Sequence, residues 1–126
     1  MNGPLGWELT KLKHLRSIWL YHNLLSGTIP PGFGRFLDVL LQNNDLEGTI
    51  PSGLFGEYNS ESSAREEKMN LNLGSNHLIG TIPSSIGLSQ WKYIHLGKNQ
   101  LSGSLPTELW NATGLQLFDV KENTKV

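Results

Sequence analysis

The sequence predicts an α/β solenoid, a stack of similar coils in which each coil contributes one short strand. Between Leu12 and Gly34, Ile18 and Leu20 are spaced by two, as in a short strand whose other side carries Ser17, Trp19 and Tyr21, and glycines and prolines then break any continuation. The same pattern returns several times within the 126 residues. A coil of this kind cannot bury its apolar side alone, so the copies must stack against each other.

The repeating unit is defined by an asparagine at the end of each strand. Two alternating apolar residues precede it, and in four copies a Leu-x-Gly-x-Ile/Leu-Pro block follows, ending at Pro30, Pro51, Pro83 and Pro106. The asparagines are Asn23, Asn44, Asn76, Asn99 and Asn123, and the apolar pairs are Ile18/Leu20, Val39/Leu41, Leu71/Leu73, Ile94/Leu96 and Phe118/Val120. If the coils stack, the first members of these pairs must lie in a single row.

These blocks resemble leucine-rich repeats of the plant-specific subtype, LxxLxxLxLxxNxLxGxIPxxLGxLxx, over nearly the whole chain. The resemblance implies a right-handed superhelix with a short parallel sheet on its concave face and a mostly irregular convex side. It also implies that the motif asparagines form a structural ladder of hydrogen bonds, and that the Gly-x-Ile-Pro block forms a second, lateral strand. We interpret residues 1–126 as a single domain of about five repeats, open at both ends, and expect it to be a fragment of a longer array or a truncated product.

Two intervals depart from the regular repeat, since successive asparagines lie 21, 32, 23 and 24 residues apart. The short interval lacks residues after Gly34, and we expect Phe33 and Phe36 to fill the shortened return. The long interval carries a polar insertion near residues 57–68. Its Ser-Ala-Arg-Glu sequence at residues 63–66 is typical of a capping box and favours one helical turn. We interpret the insertion as a solvated bulge, with a partner-binding loop as the alternative.

Composition excludes several classes of function. The net charge of −1 gives no strong attraction to nucleic acid. The absence of cysteine excludes disulfides, thiol catalysis and cysteine-based zinc sites. No apolar run reaches the roughly 18 to 20 residues of a membrane helix, so we expect no direct membrane insertion by this segment. The start of the chain lacks the pattern of a signal peptide.

The sequence contains no recognisable catalytic or cofactor motif. The four histidines lie singly, without metal-ligand spacing, and no phosphate-binding loop or nucleophile motif is present. His22 with Asp45, or His95 with Asp119, could form an acid–base pair, but no nucleophile accompanies either. We therefore expect a protein that is not an enzyme and that holds no metal or cofactor.

Function is expected at the strand positions between the inward-facing residues, which lie six, four, two and one residues before each asparagine. Stacking places equivalent positions side by side, about 4.8 Å apart. One such column is Trp19, Leu40, Asn72, His95 and Asp119. The candidate ligand-binding residues of this concave face are Trp19, Tyr21, Asp38, Gln42, Asn70, Asn72, Tyr93, His95, Asp119 and Lys121. Aromatic and polar side chains together are typical of recognition surfaces, although exposed strand residues can also be variable filler.

A further motif bears on the compartment of the protein. Asn111-Ala-Thr113 is an N-glycosylation sequon, and it lies on the return side, away from the concave face. With the family resemblance, it favours the secretory route.

The resemblance implies non-catalytic recognition of a protein or peptide ligand, with a possible co-receptor, as in the extracellular ligand-sensing region of a plant receptor-like kinase or receptor-like protein. Such a segment would lie on the extracellular side of the plasma membrane or in the apoplast, as part of a longer parent. The alternative is a soluble inhibitor of cell-wall hydrolases resembling polygalacturonase-inhibiting proteins, which usually carry paired cysteines that this chain lacks. A structural or ice-binding array would need a flat, repetitive face, which the mixed column does not provide.

Overall fold

A computed structural model describes residues 1–56, 67–124 and 126, and it consists of short strands and 3-10 helices joined by turns. The strands are β1 (Asn2–Pro4), β2 (Ser17–Trp19), β3 (Leu24–Ser26), β4 (Asp38–Leu40), β5 (Glu47–Thr49), β6 (Asn70–Asn72), β7 (His77–Gly80), β8 (Tyr93–His95), β9 (Gln100–Leu101) and β10 (Leu117–Asp119). The 3-10 helices are Trp7–Lys11, Pro31–Arg35, Ser52–Leu54, Ser84–Leu88 and Thr107–Asn111. The described residues contain no α-helix, so the helical part of the predicted α/β solenoid is made of 3-10 helices in the return segments, and these stack on one another.

The principal sheet is parallel and has the strand order β10-β8-β6-β4-β2, so each strand pairs with the equivalent strand of the next coil. We number the coils 1 to 5 by their asparagines Asn23, Asn44, Asn76, Asn99 and Asn123. The register pairs one inward residue per coil in the row Ile18, Val39, Leu71, Ile94 and Phe118. The single-row prediction is therefore confirmed. The first four residues of the row are buried, and Phe118 is half-buried against the same core.

After each strand of the principal sheet, the chain turns at the motif asparagine and the residue just before it. The residue just before each asparagine adopts a left-handed backbone, with φ between 53° and 58°, at His22, Asn43, Ser75, Lys98 and Glu122. This conformation is uncommon for residues other than glycine. It reverses the chain so that the asparagine side chain can turn inward. This shared conformation was not predicted, because five different residue types adopt it.

Each of the inward asparagines from Asn44 onward connects its coil to the preceding one, both as a donor and as an acceptor. The Asn44 amide donates to the carbonyls of Leu20 and Leu41, at 2.9 and 3.1 Å, and its oxygen accepts from the Leu25 amide at 3.1 Å. The same three bonds recur at Asn76, Asn99 and Asn123. Buried backbone groups that no strand pairs are satisfied in this way.

The lateral strands lie earlier in the repeat than expected. They form a three-stranded sheet, β5-β7-β9, and a pair, β1-β3. β5 includes Gly48 and Thr49 of the block and β7 includes Gly80, whereas β3 and β9 end before the glycine, and no described strand contains the Ile-Pro step. The expectation that the Gly-x-Ile-Pro block forms the lateral strand therefore holds only for its first residues in β5 and β7 and is wrong for its Ile-Pro half. The isoleucines instead turn inward and are buried at Ile29, Ile50 and Ile82.

The shortened return of coil 1 is filled as predicted. Phe33 and Phe36 are fully buried, and their rings meet edge to face with centroids 5.5 Å apart. The backbone of this return runs very close to the next coil, since a β-carbon on Gly34 would lie 2.2 Å from the carbonyl oxygen of Gly53. Only glycine permits this approach.

The solvated-bulge interpretation of the insertion is wrong at Lys68. Its side chain is buried, and its ammonium donates to the carbonyls of Gly34 and of Phe36, the latter at 3.1 Å. The ammonium also lies 4.2 Å from the ring centroid of Trp91, a buried residue whose indole donates to the Leu54 carbonyl at 2.9 Å. Lys68 thus caps carbonyl groups around the shortened return. The capping box predicted at residues 63–66 lies outside the described residues.

Candidate ligand-binding face

The candidate residues lie on the solvent-facing side of the principal sheet, which we call the concave face. Strand register aligns them in columns, and the central column is Trp19, Leu40, Asn72, His95 and Asp119. A second column of paired residues begins with Ser17 and Asp38 and continues through Asn70, Tyr93 and Leu117. The structure therefore brings the candidate side chains of five coils together on one surface.

The end of this face that coils 1 and 2 form is aromatic and apolar. Trp19 is 63% exposed and Tyr21 is 42% exposed, and the Tyr21 ring packs edge to face against His22 at a centroid distance of 5.5 Å. Leu40 follows Trp19 in the column and is half-buried. Large exposed rings with polar atoms are the side chains most enriched at binding hot spots.

The opposite end of the face, formed by coils 3 to 5, is polar and contains a depression. Gly74 and Gly97 occupy the position two residues before the asparagine, where coil 2 has Gln42 and coil 5 has Lys121. The missing side chains leave a pocket of about 300 Å³. Its lining comprises Gln42, Asn43, Asn72, Gly74, Ser75, His95, Gly97, Lys98, Asp119, Lys121 and Glu122. Gly74 and Gly97 are among the strand positions at which function was expected, but their place on the floor of a pocket was not predicted.

Some candidate residues already hydrogen-bond within the sheet. The carboxylate of Asp38 accepts from the Asn70 backbone amide at 3.2 Å and from the Ser17 hydroxyl at 3.4 Å. The Tyr93 hydroxyl donates to the side chain of Gln116 at 3.3 Å. These contacts fix the edge of the face where the strands begin and leave the central column more open to a ligand.

The structure places the two histidine–aspartate pairs considered from the sequence differently. His95 and Asp119 are register partners on adjacent strands, whereas Asp45 lies beside His77, with Nε2 3.4 Å from the carboxylate, on the exposed lateral side. The His77–Asp45 contact was not anticipated from the sequence. Among the described residues, no group of three or more His, Cys, Asp or Glu side chains could hold a metal ion. Nor does any helix in the described ranges have the length and apolar character needed to cross a membrane.

The sequon lies at the end of the 3-10 helix Thr107–Asn111. Asn111 and Thr113 are exposed, and the intervening Ala112 is buried. The neighbouring Trp110 is 82% exposed on this return segment. The side chain that would carry a glycan therefore projects from a return segment and not from the principal sheet.

The family model described as Leucine Rich Repeat matches residues 14–36, 69–88 and 90–112, together just over half of the chain. The chain belongs to the leucine-rich repeat family. The matched segments include the strands of coils 1, 3 and 4 and their returns, so the repeats of the sequence coincide with the coils of the structure.

Other leucine-rich repeat proteins resemble this chain in sequence and structure. A probable LRR receptor-like serine/threonine-protein kinase of Arabidopsis thaliana is 37% identical over 92 residues, which are 73% of this chain and 9% of that protein. The Arabidopsis receptor kinase HAESA, in complex with the peptide hormone IDA and the co-receptor SERK1, is 31% identical with a TM-score of 0.79, over 95% of this chain and 20% of that one. The Arabidopsis BIR3–SERK2 complex is 27% identical with a TM-score of 0.70, over 98% of this chain and 62% of that one. The chain thus spans a small part of the length of its receptor-kinase relatives.

Proposed function

We propose that this leucine-rich repeat chain is a non-catalytic recognition module that binds a peptide or protein ligand on its concave face. The observation that carries the proposal is the open surface formed by equivalent positions of five coils, aromatic at one end and polar at the other. Relatives of the same fold include a receptor kinase crystallised with a peptide hormone and a co-receptor, which supports the same class of ligand here.

The contacts proposed for the ligand follow from the two ends of the face. Trp19 and Tyr21 offer rings on which an apolar ligand side chain packs. Asn72, His95 and Asp119 offer hydrogen-bonding groups along the central column, and Gln42 and Lys121 border the glycine pocket. Asp38, Asn70 and Tyr93 border the opposite edge of the sheet. This division of apolar anchors and polar surroundings is the usual anatomy of a recognition interface.

We further propose that the chain works on the extracellular side of the plasma membrane or in the apoplast, within a longer parent. The receptor-kinase relatives and the exposed Asn111 sequon support this location. The comparisons give no support to the alternative of a soluble inhibitor of cell-wall hydrolases.

Peptide selection tests the proposed binding face. A phage-displayed library of linear peptides is panned against the purified chain, and dissociation constants of the enriched peptides are measured for Trp19→Ala and for Trp110→Ala. We expect loss of Trp19 to weaken binding by about tenfold or more, because exposed aromatic anchors carry much of an interface's free energy. Trp110→Ala is the matched control, since Trp110 is even more exposed but lies on a return segment. Absence of enriched peptides, or binding that depends on Trp110 and not on Trp19, would contradict the proposal.

A further inference from the structure

The glycine floor of the pocket exposes backbone on two neighbouring strands. Gly74 and Gly97 lie side by side in coils 3 and 4, and neither has a left-handed backbone. Their lack of side chains is therefore not required by backbone conformation. A β-carbon on Gly74 would lie 3.2 Å from the side-chain oxygen of Asn72 and 3.4 Å from the carbonyl oxygen of Gly97. A β-carbon on Gly97 would lie 3.0 Å from the carbonyl oxygen of Lys121, so the floor is closely lined by oxygen atoms.

Side-chain oxygens of Asn72 and Asp119 lie close to this floor, and Gln42 lines the same pocket. The Asn72 oxygen accepts from the Gly74 amide at 3.1 Å, which holds it over the floor. Both carboxylate oxygens of Asp119 lie 3.6 Å from the point where a Gly97 β-carbon would stand. The side-chain oxygen of Gln42 is buried and has no hydrogen-bond partner among the described residues. A buried acceptor left without a donor costs free energy that a ligand donor would recover.

The cationic groups of the pocket lie at its rim. Lys98 and Lys121 are exposed, whereas Gln42, Asn72 and Asp119 are half-buried. One Asp119 oxygen is held by the Lys121 backbone amide at 2.9 Å, which fixes the carboxylate toward the floor. An anionic ligand would meet acceptor oxygens at the bottom of the pocket and would gain only from solvated lysines above it. The arrangement favours a cationic donor.

We propose that this pocket binds the guanidinium group of an arginine side chain in the ligand. The inference rests on the proposed recognition function and deepens it. A guanidinium presents five N–H donors in a planar fork, which suits several acceptors spread along a floor better than the compact ammonium of lysine. The Asp119 carboxylate supplies the opposite charge, and Asn72 and Gln42 supply neutral acceptors.

The strand spacing also sets the ligand's pattern. Trp19 in coil 1 and its register equivalent His95 in coil 4 are separated by three strand spacings, about 14 Å, and Gly97 lies two residues further along the chain, about 7 Å away. The two offsets combine to about 16 Å, which an extended peptide covers in about five residues. The ligand therefore carries an apolar residue for Trp19 about five positions from the arginine.

Titration with small probes tests the guanidinium site on the whole chain. N-acetyl-L-arginine amide, its uncharged isostere N-acetyl-L-citrulline amide and N-acetyl-L-glutamate amide are each added to the ¹⁵N-labelled protein, and the amide signals of Gly74 and Gly97 are followed. We expect the arginine probe to shift both signals and to bind about tenfold more tightly than the citrulline probe, since hydrogen bonds between charged partners are roughly twice as strong as neutral ones. The glutamate probe should leave these signals in place.

Two variants with matched controls locate the binding. Asp119→Asn should weaken binding of the arginine probe about tenfold, whereas Asp45→Asn on the lateral side should leave its affinity unchanged. Gly74→Ala places a methyl group on the floor and should abolish the shifts, whereas Gly114→Ala, where a β-carbon meets nothing within 4 Å, should not. The proposal is overturned if the arginine probe causes no shift at tens of millimolar, if citrulline or glutamate binds as tightly, or if Asp119→Asn behaves like Asp45→Asn. Selected peptides that depend on Trp19 but not on Asp119 would overturn this inference and leave the recognition function standing.

Discussion

At the scale of single residues, the motif asparagines carry an unusual share of the backbone hydrogen bonding. Asn76 donates to the carbonyls of Leu41, Leu73 and Gly74 and accepts from the Leu46 amide, so one side chain satisfies groups in two coils. Asn76 is itself buried. Its removal would leave buried donors and acceptors without partners, which costs more than the loss of an exposed hydrogen bond.

The expected effect of Asn76→Ala is a loss of about 3 kcal/mol in the free energy of unfolding, since about two backbone groups lose their partners at roughly 1–3 kcal/mol each. Urea unfolding followed by circular dichroism measures the loss. Asn111→Ala, at an exposed position, is the control and should change stability by less than about 0.5 kcal/mol. Equal stability of the two variants would show that the ladder contributes little.

Among the described residues, Lys68 has a pKa that the fold shifts strongly. Burial lowers the pKa of its ammonium from 10.5 to about 8, while the carbonyls of Gly34 and Phe36 and the ring of Trp91 surround it. The unfolded chain keeps this proton up to about pH 10.5, whereas the folded chain releases it near pH 8. The cost of the buried charge is therefore fully present below pH 8 and is removed as the pH rises.

We expect the Lys68 contribution to the free energy of unfolding to increase between about pH 8 and pH 10.5, by at most about 3 kcal/mol. Lys68→Met should remove this increase, which is measured as the difference in urea midpoints between variant and wild type at successive pH values. Lys13→Met, at an exposed position, should keep the wild-type pH dependence. If the stability of Lys68→Met rose with pH as that of the wild type does, Lys68 would not be the group that titrates in this range.

At the scale of elements, the return segments set how closely the coils stack. The 3-10 helices Pro31–Arg35 and Ser52–Leu54 pack against each other, and the closest approach is at Gly34. The next close approach is at Gly87, where a β-carbon would lie 2.6 Å from the carbonyl oxygen of Glu108. The glycine of the return is thus a packing residue, selected by the backbone of the following coil.

Gly34→Ala should destabilise the protein by about 2 kcal/mol or more, because a methyl group at this position meets a carbonyl oxygen that cannot move without shifting a coil. Thermal unfolding of the variant is compared with that of Gly114→Ala, whose methyl group meets no neighbouring atom. Similar melting temperatures for the two variants would contradict the close approach.

At the scale of the whole molecule, one apolar row joins all five coils. Ile18, Val39, Leu71 and Ile94 are buried in consecutive strands, and Phe118 continues the row at the end of the sheet. In a repeat array each coil contacts only its neighbours, so a central residue supports the coils on both sides. The single-domain interpretation stays a prediction, which the unfolding behaviour can test.

Leu71→Ala should lower the free energy of unfolding by about 3 kcal/mol, as expected when a leucine side chain is truncated in a filled core. The whole chain should still unfold in one transition. Circular dichroism and tryptophan fluorescence are recorded on the same denaturant series. Leu117→Ala, at a 42% exposed strand position, should cost less than about 0.5 kcal/mol. Transitions that differ between the two probes would contradict a single cooperative domain.

The glycosylation prediction also belongs to the whole molecule, because it depends on the route the parent takes through the cell. When the chain is expressed behind a signal peptide in plant cells, we expect a glycan at Asn111, since the sequon is exposed on a return segment. Mass spectrometry before and after glycosidase treatment detects it, and Asn111→Gln should abolish the shift. An unmodified secreted chain would contradict this prediction.

The sequence by itself determined the coils, their register and the row of apolar residues. These follow from local pattern, since alternation fixes which side of a strand faces inward and the repeated asparagine fixes where each strand ends. The columns of the concave face followed from the same register, so Trp19, Leu40, Asn72, His95 and Asp119 could be aligned without coordinates.

Only the tertiary structure decided how the coils touch each other away from the strands. The burial of Lys68 beside Trp91, the contact of His77 with Asp45 and the pocket over Gly74 and Gly97 join residues from different coils. The spacings of 21 and 32 residues are visible in the sequence, but the contacts made by the returns within these intervals are not. The pocket arises because two glycines in neighbouring coils are adjacent in space, while in sequence they are separated by an entire coil.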